Sequence, residues 1–167
     1  DEILSAERMR ICSPDSIWVL DSNRAQITRW EVSVADKKAE RMEEIPLDKR
    51  LLRTLDFCKT DSGFLVTDYT GSYRYHVLDA QGRIQKSIGS IPTEDESLRE
   101  SLPALAQAWR TFMSYNPKNQ VLALVTQLGE TVEIFNLKTG FHTVLFGPNG
   151  EPVFSQQGGE AFPKGIK

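Results

Sequence analysis

The sequence predicts an all-β fold, a β-propeller of about three four-stranded blades with one short helical insertion. Three observations carry that reading. First, one phrase is written three times. It reads Cys12-Ser13-Pro14-Asp15-Ser16 ahead of Trp18-Val19-Leu20-Asp21, and Cys58-Lys59-Thr60-Asp61-Ser62 ahead of Phe64-Leu65-Val66-Thr67-Asp68. It returns as Tyr115-Asn116-Pro117-Lys118-Asn119 ahead of Val121-Leu122-Ala123-Leu124-Val125. Each copy is a short strand, a polar turn and an apolar strand. Second, Cys58 follows Cys12 by 46 residues, within the roughly 40–50 of a four-stranded blade. Third, in the second and third copies the apolar strand leads into a further strand and then a glycine-containing turn, at Gly82 and Gly140.

The elements follow in order. In blade 1, about 8–47, residues 8–12 lead in. Ile17-Trp18-Val19-Leu20-Asp21 is a nearly continuous apolar run, which suits a strand buried on both faces. Asp21-Ser22-Asn23 supplies turn chemistry, because Asx side chains bond their own downstream backbone. Residues 26–32 alternate, and 41–46 make a weaker fourth strand. In blade 2, about 53–92, Leu55 and Phe57 share one face of the lead-in strand, and residues 64–68 are the buried strand. Tyr73, Tyr75 and Val77 alternate with Ser72, Arg74 and His76, the period of two of a strand. Asp79-Ala80-Gln81-Gly82 turns the chain into a closing strand at 83–88.

Blade 3, about 110–146, repeats the plan, and Lys138-Thr139-Gly140 answers Ala80-Gln81-Gly82. Tyr115 follows Cys58 by 57 residues, 11 more than the first interval, so a segment is inserted between blades 2 and 3. It lies at 93–109. Thr93 and Glu96 read as a capping box. Leu98, Leu102, Leu105 and Trp109 share one helical face, and Pro103 should kink or split the helix. This helix is either a lid on a blade end or a partner-binding helix, and the exposure of Leu98 and Leu105 separates the two. The tail, 147–167, reads as a loop or the start of a further blade, with Phe154 and Phe162 as its large apolar anchors.

Composition narrows the function. The chain has 167 residues, 40% hydrophobic and 26% charged, with a net charge of −3. An acidic balance argues against a nucleic-acid binder, which carries a basic face. No run approaches the roughly 18 apolar residues of a membrane span. Two cysteines make no disulfide framework, and Cys12 and Cys58 read as buried thiols.

Val19-Leu20-Asp21-Ser22-Asn23-Arg24-Ala25-Gln26-Ile27-Thr28-Arg29-Trp30 resembles an NHL-type propeller blade. The span from about 8 to 146 is similar to the TolB-like six-bladed propellers of bacteria. The resemblance implies half of a six-bladed ring. It also implies a periplasmic or extracellular protein, lipid-anchored in its precursor, with no assigned activity. Three blades leave two apolar faces bare, so the remainder of a longer chain or a dimer is expected to close the ring.

Candidate sites are few. No catalytic residue, cofactor or metal ligand is expected. His76 and His142 lack ligand partners at zinc spacing and read as solvent-facing. Glu43-Glu44 and Glu94-Asp95-Glu96 superficially match paired glycosidase carboxylates, but lie on an outer strand and a helix start. Asp21-Ser22-Asn23 begins like a calcium loop, but Val32 stands where the closing glutamate is needed. Arg53 and Arg110 each lie five residues before the repeated phrase. On inner strands they would ring a channel and bind a carboxylate or phosphate, unless nearby acids such as Asp56 neutralise them. Tyr69 and Tyr73 flank the Thr70-Gly71 turn and could form an aromatic rim, although strand packing also suits Tyr73. The leading expectation is a non-enzymatic binding scaffold for a protein, peptide or glycan. The alternative is a propeller hydrolase or lactonase whose catalytic residues lie in blades outside this chain.

Overall fold

A computed structural model describes residues 3–158 and 160–164. Three four-stranded antiparallel sheets follow one another along the chain, each with its strands in sequence order. The first contains β1 (Ala6–Ser13), β2 (Ser16–Asp21), β3 (Gln26–Ser33) and β4 (Lys38–Pro46). The second contains β5 (Thr54–Lys59), β6 (Gly63–Asp68), β7 (Tyr75–Asp79) and β8 (Ile84–Ile88). The third contains β9 (Thr111–Asn116), β10 (Val121–Thr126), β11 (Thr131–Asn136) and β12 (His142–Phe146). These are meander blades, and neighbouring blades touch mainly through their first strands, β1 to β5 and β5 to β9.

The repeated phrase acts through its turns. Asn116 Oδ1 accepts from Lys118 N at 3.0 Å, and Thr60 Oγ1 accepts from Gly63 N at 3.1 Å. At the other blade end, the residue after the second strand donates back to the residue before the first. Tyr69 N donates to Arg53 O at 3.1 Å, Gln127 N to Arg110 O at 2.9 Å and Ser22 N to Ser5 O at 3.3 Å. Asp21 and Asp68 anchor these turns: Asp21 accepts from Leu4 N and Arg24 N, and Asp68 accepts from Arg53 N and Thr70 N. Gly82 turns the β7–β8 hairpin at φ +79°, where an added Cβ would lie 2.3 Å from Pro46 O of blade 1. Glycine is required there twice, for its backbone and for the close approach.

Two apolar interfaces join the blades. Trp18, Leu20, Ile27 and Ile45 of blade 1 pack on Phe57, Phe64, Val66 and Leu78 of blade 2. Cys58, Leu65 and Tyr75 of blade 2 pack on Met113, Leu122, Leu124 and Phe135 of blade 3. Blade 2 is therefore covered on both sides, and all six residues of β6 are buried. A buried carboxylate stitches the first strands together. Asp56 accepts from Arg10 Nη2 at 2.6 Å and from Met113 N at 2.8 Å, while Arg10 Nε donates to Phe57 O at 2.9 Å.

Several expectations change here. Cys58 is buried, but Cys12 is exposed, because the end of β1 has no blade against its outer side. β10 alternates between buried and open positions, because only one of its faces meets another blade. The insertion splits at the proline into a 3-10 helix, Glu96–Ser101, and α1, Leu102–Ala108. The cap is Asp95, whose side chain accepts from Ser97 N, rather than a Thr93–Glu96 box. Thr93 instead donates to Glu151 Oε2 at 2.7 Å, and Arg99 takes Glu96 at 2.9 Å. Leu105 is fully buried with Ile91 and Trp109, and Leu98 packs against them, so the insertion is a lid. The tail forms a hairpin of β13 (Phe154–Gln157) and β14 (Glu160–Pro163) that packs on α1. Phe154 joins the lid core, whereas Phe162 stays largely exposed.

Candidate functional site: a cleft between the second and third blades

The four residues singled out in the sequence gather at one end of blades 2 and 3. A small cleft there is lined by Tyr69, Tyr73 and Arg110, with Asp68, Gly71, Arg74 and Trp109 among its other walls. Arg53 stands beside it, its guanidinium 6.0 Å from the centre of the Tyr69 ring. The cleft is open to solvent and has room between its walls for about one water molecule.

The repeat explains why they meet. Arg53 and Arg110 each directly precede the first strand of a blade, β5 and β9. Tyr69 directly follows β6, and its backbone closes on Arg53. The two arginines therefore sit at the blade ends rather than along the first strands. Nor does Arg53 pair with Asp56, whose oxygens are taken by Arg10, Phe57 N and Met113 N. Arg110 Nε donates to the side-chain oxygen of Gln127. Among the described residues, neither guanidinium forms a salt bridge to a carboxylate. Tyr73 precedes β7 and is 49% exposed, so it is not a packed strand residue. It stands edge-on to His76, with ring centres 5.8 Å apart.

Beneath the cleft lies charge that the sequence analysis missed. Arg74 is buried, and its Nε donates to Glu133 Oε2 at 2.8 Å while Nη1 donates to Trp109 O at 3.0 Å. Nη2 lies 2.6 Å from the same Glu133 oxygen, which makes a close ion pair between blades 2 and 3. Glu133 Oε1 and Trp109 Nε1 are buried with no hydrogen-bond partner among the described residues. His142 Nε2 stands 3.5 Å from Oε1. The signal in the sequence was a lone glutamate in an alternating strand: Thr131, Glu133 and Phe135 form the buried face, and Val132 and Ile134 lie on the open one.

Both histidines depart from a purely solvent-facing role. His76 is buried on β7, with Nδ1 2.8 Å from Ser87 Oγ, and burial pushes its pKa below the ordinary histidine value. His142 is exposed but stacks flat on Phe135, with ring centres 4.1 Å apart. The acid pairs are structural: Glu43 holds Arg29 and Glu44 holds Arg41. Among the described residues, no group of three His, Cys, Asp or Glu could hold a metal ion, and no helix is long and apolar enough to cross a membrane.

A family model described as TolB-like 6-blade propeller-like matches residues 1–167. The chain belongs to the TolB-like six-blade propeller family. The described residues form three four-stranded blades, against the six in the family's description. Among curated proteins, none matches. A crystallised protein from Lactobacillus plantarum is similar at 12% identity and a TM-score of 0.37, over 79% of this chain and 38% of that one. This TolB-like chain thus spans well under half of that protein's length.

Proposed function

We propose that this chain is a non-enzymatic binding scaffold, and that its partner docks at the blade 2–blade 3 cleft. One observation carries the reading. Two guanidinium groups and two tyrosines, drawn from separate segments, converge on one opening with neither arginine neutralised by a carboxylate among the described residues. Exposed tyrosine and arginine are the side chains that dominate binding hot spots. A protein, peptide or glycan would use such a rim. The TolB-like family is typically extracytoplasmic, which supports a setting outside the cytoplasm. The ring, in this reading, is closed by further chain or by a second copy, because an open blade exposes Val125 and Leu145.

Gly71 gives a clean test. Nothing lies within 4 Å of a Cβ built at Gly71, and its φ is not in the left-handed region. Gly71→Leu should therefore fold normally and obstruct the cleft. Peptide and glycan arrays probed with the wild-type chain should yield binders that the Gly71→Leu chain loses. Arrays on which the two proteins retain the same set would remove the cleft from the function.

A further inference from the structure

We propose that β12, the outer strand of blade 3, pairs edge-to-edge with β12 of a second copy of this chain, about a two-fold axis at Val144. The outer strands of the three blades are not alike. β4 carries Lys38, Glu40, Arg41, Glu43 and Glu44, and it is bulged against β3. β8 carries Lys86 and is bulged against β7. Charges and bulges are the devices that keep a sheet edge from recruiting another strand. β12 has no lysine, arginine or carboxylate: it reads His142-Thr143-Val144-Leu145-Phe146 and pairs with β11 in unbroken register. Leu145 and Phe146 are exposed on it, and so is Phe141 just before it.

Register decides which backbone groups are free and what fits them. Asn136 N donates to Phe141 O at 2.8 Å, and Gly147 N donates to Glu130 O at 2.6 Å. Antiparallel bonds alternate along a strand. Thr143 and Leu145 therefore bond inward to β11, while His142, Val144 and Phe146 turn their N–H and C=O groups outward. Among the described residues, no turn or loop backbone reaches those outward groups. A second β12 matches them when outward residues meet outward residues, and antiparallel pairing about Val144 aligns all of them. His142 of each copy then lies opposite Phe146 of the other, and Val144 lies opposite itself. On the other side of the sheet, Thr143 of each copy faces Leu145 of the other. These cross-strand pairs join aromatic to aromatic and β-branched to apolar, the combinations that stabilise a sheet. Because β4 and β8 are guarded, the two-fold closes the contact and it stops at a dimer. It uses the edge of blade 3, which leaves the flat of that sheet for ring closure.

The test is a charge swap read by sedimentation velocity over a range of protein concentrations. The wild-type chain should pass from monomer to dimer as concentration rises. One variant carries Thr143→Lys with Leu145→Lys, and the other carries Thr143→Glu with Leu145→Glu. Each alone should self-associate about tenfold more weakly, because two like-charged cross-strand pairs oppose it. An equimolar mixture of the two should restore the dimer, since every lysine then faces a glutamate. Hydrogen exchange on the wild type needs no substitution. The amides of His142, Val144 and Phe146 should slow as the dimer forms, while those of Thr143 and Leu145 are protected at all concentrations. A wild-type chain that stays monomeric overturns the proposal. A dimer that survives in both variants, or that weakens in each and is not restored by mixing, overturns it in favour of contact through the open blade faces. Growth beyond a dimer overturns the two-fold.

Discussion

Blade 2 meets blade 1 through an apolar core whose ion pair, Arg10 on Asp56, sits at the first strands, and meets blade 3 through apolar side chains with a wholly buried ion pair, Arg74 on Glu133, among them. At the first interface Trp18 and Phe64 pack edge-to-face at 5.4 Å, and Leu20, Ile27, Phe57 and Val66 fill the rest. At the second, Leu65, Tyr75 and Leu122 do the same work, but Arg74 and Glu133 are buried beside them. The Arg10 side chain at the first seam is still 31% exposed, whereas burying both members of the Arg74–Glu133 pair costs desolvation that their attraction only partly returns. The second seam carries that cost where the cleft opens. Its charges fix Trp109 O through Arg74, so they hold the floor of the site in place. The two interfaces should therefore answer differently to substitutions of equal volume.

The largest effect is expected at Glu133. Glu133→Gln keeps the shape but removes the charge, leaving Arg74 buried beside a neutral group. Losing one partner of a buried pair costs about 3–5 kcal/mol. Urea unfolding should show that loss, and Arg74→Met combined with Glu133→Leu should recover most of it. A single-variant cost below roughly 1 kcal/mol would show that water reaches the pair and that the contrast between the interfaces is false.

Legibility in the sequence divides along the same seam. The apolar interface could be read, because Trp18-Val19-Leu20 and Phe64-Leu65-Val66 are continuous apolar runs at equivalent places in the repeat. The turn chemistry could also be read, since Asp21, Asp68 and Gly82 act locally. The buried pair could not, because Arg74 and Glu133 are 59 residues apart and only blade stacking brings them together. Arg53, Arg110, Tyr69 and Tyr73 could be marked as candidates by repeat position and turn flanking, but Trp109 was assigned only to a helical face. Its place in the wall of the cleft depends on how the insertion packs against blade 2, a tertiary property.

Within the first interface, the next largest effect is expected at Gly82. Gly82→Ala forces a side chain into the left-handed region, at about 1–2 kcal/mol, and drives its Cβ toward Pro46 O, 2.3 Å away. A total of about 2–4 kcal/mol in urea unfolding is expected, from backbone crowding rather than lost charge. Leu20→Met lies below it. Leu20 is fully buried among apolar neighbours, and a volume-conserving swap there should cost less than about 1.5 kcal/mol. If Leu20→Met proved as damaging as Glu133→Gln, shape rather than charge would set the sensitivity of both seams.

The smallest effect concerns pH, and it falls on the first interface. His76 shares the blade 1-facing side of β7 with Leu78. Burial lowers its pKa, and Arg50 acts in the same direction, while Asp68 and Asp48 partly oppose it. The neutral imidazole is therefore the folded form. As pH falls below the ordinary histidine value of about 6.5, the unfolded chain takes up the proton first, and stability falls until the folded pKa is passed. Arg74 and Glu133 lie on the other side of the blade, so acid should loosen the seam with blade 1 before the seam with blade 3. Urea midpoints at about pH 7 and about pH 5.5 should separate for the wild type and draw together for His76→Gln. Hydrogen exchange locates the change: amides of β2 and β6 should speed up in acid before those of β10 and β11. Simultaneous loss along all four strands would mean that the two interfaces, for all their different chemistry, open as one.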